Sequence, residues 1–166
     1  MGCVFAVNLK VIYLIVAKAI PHMRKIGGGA IVNIASVQAL ASSKHVAADA
    51  ASKAGLLGLT RAITVDHAGE GIRCDAICPG SVDTPMLRFV ARETGGCASE
   101  EEKIACWGRR HPVGRVDKAD EVAALIAFLV ESESLFINGT AITVHGGVTA
   151  KLGIVKPEAT GWPSAA

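Results

Sequence analysis

Asp49 and Lys53 stand four residues apart in a stretch that reads as a helix, so a carboxylate and an ammonium share one face in the favourable acid-then-base order. Two kinds of chemistry fit the pair. One is a helix-surface ion pair with no chemical task; the other is a carboxylate that assists a proton relay. Ser36 adds a hydroxyl just after a short apolar run. His45, one helical turn before Asp49, is either a proton donor or a loop histidine. A neighbouring ammonium favours an ionised carboxylate, which has no proton to give near neutral pH.

The elements that must position these residues follow from periodicity. Residues 8–25 carry Leu9, Ile12, Val16, Ile20 and Met23 at helical spacing, with Pro21 loosening the last turn and Gly27-Gly28-Gly29 ending it. The glycine triplet precedes a strand rather than opening a helix, so it reads as a turn and not as a phosphate cradle. Ala30–Ala35 fits a buried strand. The next helix runs over residues 47–68, with Leu57, Leu59, Ile63 and Val65 among its apolar positions. The small residues Ala50, Ala51, Ser52, Ala54 and Gly55 in its first half would admit a second helix closely, or serve helix propensity alone.

Ile72–Cys78 reads as a second strand, broken by Pro79-Gly80. Residues 84–112 read as irregular and polar, with a Gly95-Gly96 hinge. Asp117 is placed as the N-cap of a helix carrying Val122, Leu125, Ile126 and Leu129, and Ile142–Val144 as a third strand. The expected fold class is α/β: half of a Rossmann-like doubly wound parallel sheet, about three strands with flanking helices. Residues 1–150 form one domain, and residues 151–166 an extended or disordered tail.

Bulk properties narrow the function. A net charge of +2 with only 4% aromatic residues argues against nucleic acid. The apolar run Val11–Ala17, interrupted by Lys18, is too short to span a bilayer, and Ala6 stands where a myristoylation signal needs Ser or Thr. Cys3, Cys74, Cys78, Cys97 and Cys106 lack zinc-ligand spacing. They are expected to be buried, reduced thiols in a cytoplasmic protein without a metal, Cys74 and Cys78 pointing to one face of a strand.

Several segments together resemble the short-chain dehydrogenase/reductase family: Asn8-Leu9-Lys10, Ile31-Val32-Asn33-Ile34-Ala35-Ser36, Ala51-Ser52-Lys53-Ala54-Gly55, Cys78-Pro79-Gly80-Ser81-Val82-Asp83-Thr84-Pro85 and Gly146-Gly147. The resemblance implies an oxidoreductase that exchanges a hydride between NAD or NADP and an alcohol or carbonyl. It implies that Asn8 anchors a proton-relay water, Ser36 orients the substrate oxygen, and Lys53 holds the nicotinamide ribose. Pro79, Gly80, Val82 and Thr84 would embrace the nicotinamide carboxamide, and residues 85–112 would form the substrate-selecting lid. The helices at 8–25 and 47–68 would pack against another subunit, giving homo-oligomers or pairing with an intact family member.

Two positions and one missing segment depart from the family pattern. Asp49 stands where the family keeps its proton-carrying tyrosine, and the chain's single tyrosine is Tyr13. A carboxylate falls short of a phenol's reach by about 3 Å, and a displacement of ~1 Å can cost a hundredfold in rate. The family's Thr-Gly-x-x-x-Gly-x-Gly turn, which cradles the diphosphate, is not among these 166 residues. His145 replaces the usual aspartate before Gly146-Gly147. The expectation is an oxidoreductase by descent, weak or inactive as the chain stands, with doubtful nucleotide binding. The alternatives are a non-catalytic association partner, with the edge of the strand at Ala30–Ala35 left open to pairing, or a gene fragment.

Overall fold

The computed structural model describes residues 2–96 and 98–151, so the expected tail beyond Lys151 and Cys97 lie outside the described residues. Helix α1 (Gly2–Lys25) starts earlier than its apolar stripe suggested. A π-helical turn over Ala6–Lys10 interrupts its α-helical run and carries Asn8. The extra turn brings Phe5, Val7 and Leu9 into one continuous apolar helix. By length and composition α1 as a whole is long and apolar enough to cross a membrane, whereas the run Val11–Ala17 alone is not. Its stripe is nevertheless used within the fold, where Val16 and Ile20 are buried with Ile63, Ile72 and Cys74.

Strand β1 (Gly29–Ile34) leads through a 3₁₀ turn at Val37–Ala39 into α2 (Ala47–His67), and β2 (Ile72–Pro79) follows. The chain then forms β3 (Val82–Asp83), α3 (Pro85–Glu93), α4 (Glu100–Gly108), β4 (Asp117–Lys118), α5 (Ala119–Val130) and β5 (Ala141–Val144). The three longer strands form a parallel sheet in the order β1-β2-β5, and β3 pairs with β4 in a separate two-residue parallel ladder. This is the expected α/β class. Every residue of β2 is buried, as a central parallel strand covered on both faces requires.

Alternation along β2 divides the core. Ile72, Cys74, Ala76 and Cys78 face α1 and α2, whereas Ile77 faces Val122 and Leu129 of α5. Both thiols thus point to one face. The steps β1→β2 and β2→β5 run in the same direction across the sheet, yet their helices cover opposite faces. The two crossovers therefore have opposite hands, against the usual uniform right-handedness. Arg73 on the α5 side fixes that helix by donating to the carbonyls of Leu129, Glu131 and Ile137.

The glycine triplet is a turn, as its place before a strand implied. Gly28 has φ +125°, and a Cβ there would collide with the Gly71 carbonyl. Three expectations fail. Residues 84–112 are not irregular: Thr84 caps α3 ahead of Pro85, and Ser99 with Glu102 forms a capping box on α4. Asp117 is not a helix cap but lies in β4, while Glu121 reaches back to the Lys118 N–H, 2.9 Å away, at the start of α5. Cys3 and Cys106 are exposed; only Cys74 and Cys78 of the described thiols are buried.

Candidate active site

The carboxyl ends of β1 and β2, the first turns of α2 and the π-turn of α1 meet at one edge of the sheet. Lys53 leaves α2 toward β1, and its Nζ donates to the Ile34 carbonyl at 2.9 Å. Ser36 follows two residues later in extended conformation, its Oγ accepting from the Gln38 N–H at 3.1 Å. Cys78 lies beneath both: burial raises its thiol pKa, while the Ser36 backbone and the Lys53 charge act in the opposite sense.

The expected Asp49–Lys53 ion pair does not form. Asp49 turns instead to α1, where its Oδ1 accepts from Asn8 Nδ2 at 3.0 Å. The same amide donates to Ser52 Oγ at 3.1 Å, and Ser52 Oγ donates to the Asp49 carbonyl at 2.7 Å. The physical reason is competition: Lys53 finds a strand-end carbonyl and Asp49 finds an amide, so neither needs the other. Ser52, fully buried, is the residue sequence reasoning passed over as packing. A serine one turn from a candidate carboxylate was the only available signal.

His45 is not placed as a proton donor to Asp49. Helix α2 begins only at Ala47, and His45 sits exposed before it in a left-handed conformation, φ 66°. His145, at the position of the usual aspartate, caps the turn that follows β5. Its Nδ1 accepts from the Gly147 N–H at 3.1 Å, as an Asx side chain would. That contact assigns the ring proton to Nε2, 2.6 Å from Thr149 Oγ1.

The turn after β2 is rigidly held. Gly80 N–H donates to the Val144 carbonyl at 2.9 Å, Asp117 N–H donates to the Ser81 carbonyl at 2.8 Å, and Val82 pairs with Asp117. Gly80 packs so tightly that an added Cβ would lie 2.7 Å from the His111 ring. His111, buried, hydrogen-bonds through Nδ1 to the His145 carbonyl at 2.8 Å. Nearby, burial and Glu121 raise the pKa of Asp117, whereas the forked contact with Arg115 holds Glu121 well below the usual carboxylate range.

Several side chains here keep hydrogen-bond donors in reserve. Lys53 commits one of its three N–H groups to Ile34. Ser36 and Thr84 each accept from a backbone N–H and keep a hydroxyl proton to donate. The Gly27–Gly28 turn is no diphosphate cradle, since the backbone of Gly71 packs against it.

Known proteins place this arrangement in a family. A profile described as enoyl-(acyl carrier protein) reductase matches residues 1–149, and the chain belongs to the short-chain dehydrogenase/reductase family. It is 37% identical over 147 residues to 2-(R)-hydroxypropyl-CoM dehydrogenase of Xanthobacter autotrophicus, covering 89% of this chain and 56% of that one. The ligand-free aldohexose dehydrogenase of Thermoplasma acidophilum superposes with a TM-score of 0.88 at 40% identity, covering 95% of this chain and 63% of that one. ElxO with NADP bound superposes with a TM-score of 0.77 at 28% identity, covering 87% and 56%. The chain thus spans a little over half the length of these relatives.

Proposed function

We propose that this chain carries the nicotinamide- and substrate-facing part of an NAD(P)-linked alcohol or carbonyl oxidoreductase whose proton-transfer position is disabled. One observation carries the reading: the group at that position, Asp49, is a carboxylate held by Asn8 at 3.0 Å. A bound nicotinamide would supply or accept the hydride. Lys53 would hold the ribose hydroxyls, Ser36 would orient the substrate oxygen, and Pro79, Gly80, Val82 and Thr84 would line the carboxamide. Position 49 carries no phenol to pass a proton to a carbonyl oxygen as the hydride arrives. Turnover is accordingly weak or nil. A cytoplasmic site of action is part of the reading, resting on the free thiols Cys74 and Cys78.

Titration with NADH and NADPH, followed by nucleotide fluorescence, tests the binding half. Saturable binding that Lys53→Met weakens supports it; binding indifferent to Lys53 contradicts it.

A second reading, association through α1 and α2, has its own observation. Phe5, Leu9, Tyr13, Gly55 and Leu59 line an open, mainly apolar groove of about 620 Å³. A second copy of the chain, or an intact family subunit, is its proposed occupant. Light scattering on the purified chain distinguishes a dimer from a monodisperse monomer, and the latter contradicts self-association.

A further inference from the structure

We propose that Arg88 is an ionic latch that closes the α3–α4 hairpin onto the turn after β2. Its guanidinium donates through Nε and Nη2 to the two carboxylate oxygens of Asp83, each at 2.7 Å. Through Nη1 it donates to Glu100 Oε1 at 2.9 Å. The other oxygen of Glu100 accepts from Arg92 Nη1 at 2.9 Å. Acid and base alternate along Asp83, Arg88, Glu100 and Arg92, and one planar fork joins three segments: β3, α3 and the first residue of α4.

Apolar packing does little to hold the hairpin. Ala91 and Gly108 are the only buried residues of α3 and α4, while Met86 and Phe89 are 77% and 56% exposed. Lys103 ties the two helices together by donating to the Ala91 and Thr94 carbonyls at 3.0 and 2.6 Å, so the hairpin moves as one piece. Asp83, by contrast, belongs to a turn fixed to β4 and β5. Opening the hairpin therefore means breaking the Arg88–Asp83 fork. Asp83 lies between Val82 and Thr84, so the latch deepens the nicotinamide reading, yet its geometry stands without any nucleotide.

Hydrogen exchange on the full chain without nucleotide tests the latch separately from nucleotide binding. Arg88→Gln and Glu100→Gln should each speed exchange across 85–108 by about tenfold, the scale of a charge-assisted hydrogen bond. Exchange over Ile72–Pro79 should stay unchanged. Arg88→Lys, a point charge that cannot fork, should restore protection only in part. Added salt should loosen the hairpin of the unaltered chain in the same selective way. Unchanged exchange over 85–108, or equal acceleration over β2, would overturn the proposal.

Discussion

The Asn8 carboxamide and the Asp49 carboxylate meet at 3.0 Å across 41 residues of sequence, joining the π-turn of α1 to the first turn of α2. The contact holds the Asp49 side chain at the junction of the two helices, beside Ser52. Asn8 and Asp49 are thus partners in a structural bridge between the two helices.

That bridge should be measurable as a coupling. Asn8→Ala and Asp49→Ala should each destabilise the chain, and the double variant should lose less than the sum. The coupling should be about 1 kcal/mol, the usual worth of a partly buried hydrogen bond. Denaturant unfolding of the four proteins checks it, and strict additivity would show that the two side chains do not interact.

Two left-handed positions should respond in opposite directions. His45 holds φ 66° with a side chain, so His45→Gly should stabilise by about 1 kcal/mol if relief of strain exceeds the added freedom of the unfolded chain. Gly71 holds φ +75° with the Gly27 carbonyl 2.9 Å from where a Cβ would sit. Gly71→Ala should therefore cost about 2 kcal/mol or more, from strain plus the clash. Melting temperatures settle both signs.

The thiols should separate by reactivity. Cys3 and Cys106 are exposed and should alkylate readily in the folded chain. Burial pushes Cys74 up to about 12 and raises Cys78 as well, so both should resist until denaturant is added. The folded chain keeps a proton that the unfolded chain releases near 9.0, so the Cys74 contribution to stability is intact below that pH and lost as pH climbs toward about 12. Peptide mass mapping after alkylation reads the reactivity order.

Acid should weaken the α3–α4 hairpin. Burial raises the Glu100 pKa, but Arg88 and Arg92 outweigh it and hold the carboxyl below its usual 4.5. A depressed carboxylate pKa means stability present above the unfolded value and lost as pH falls through the folded one. Exchange over 85–108, corrected for its intrinsic pH dependence, should be flat above about pH 5 and should rise on acidification below about 4.5. A rise that begins near neutrality would point to another group.

Much of the sheet was legible because buried parallel strands and helical stripes have short-range signatures. Ala30–Ala35, Ile72–Cys78 and Ile142–Val144 lie within a residue of the observed β1, β2 and β5. Helices α3 and α4 were hidden because each is only nine residues long, although Thr84-Pro85 and Ser99 with Glu102 carry capping signals that can be read locally. The site was harder to read. The i,i+4 rule pairs Asp49 with Lys53, but the Asn8 carboxamide, 41 residues away, displaced the local partner. The two-residue ladder of β3 with β4 has no sequence pattern long enough to detect.

Carbonyl-dependent oxidation of NADPH or NADH by this chain, compared with Asp49→Tyr under conditions where nucleotide binding saturates, tests the central claim most directly. The unaltered sequence should leave the nucleotide unconsumed, and a phenol at position 49 should bring consumption well above it. Equal turnover by both proteins would show that Asp49 is no obstacle to proton delivery.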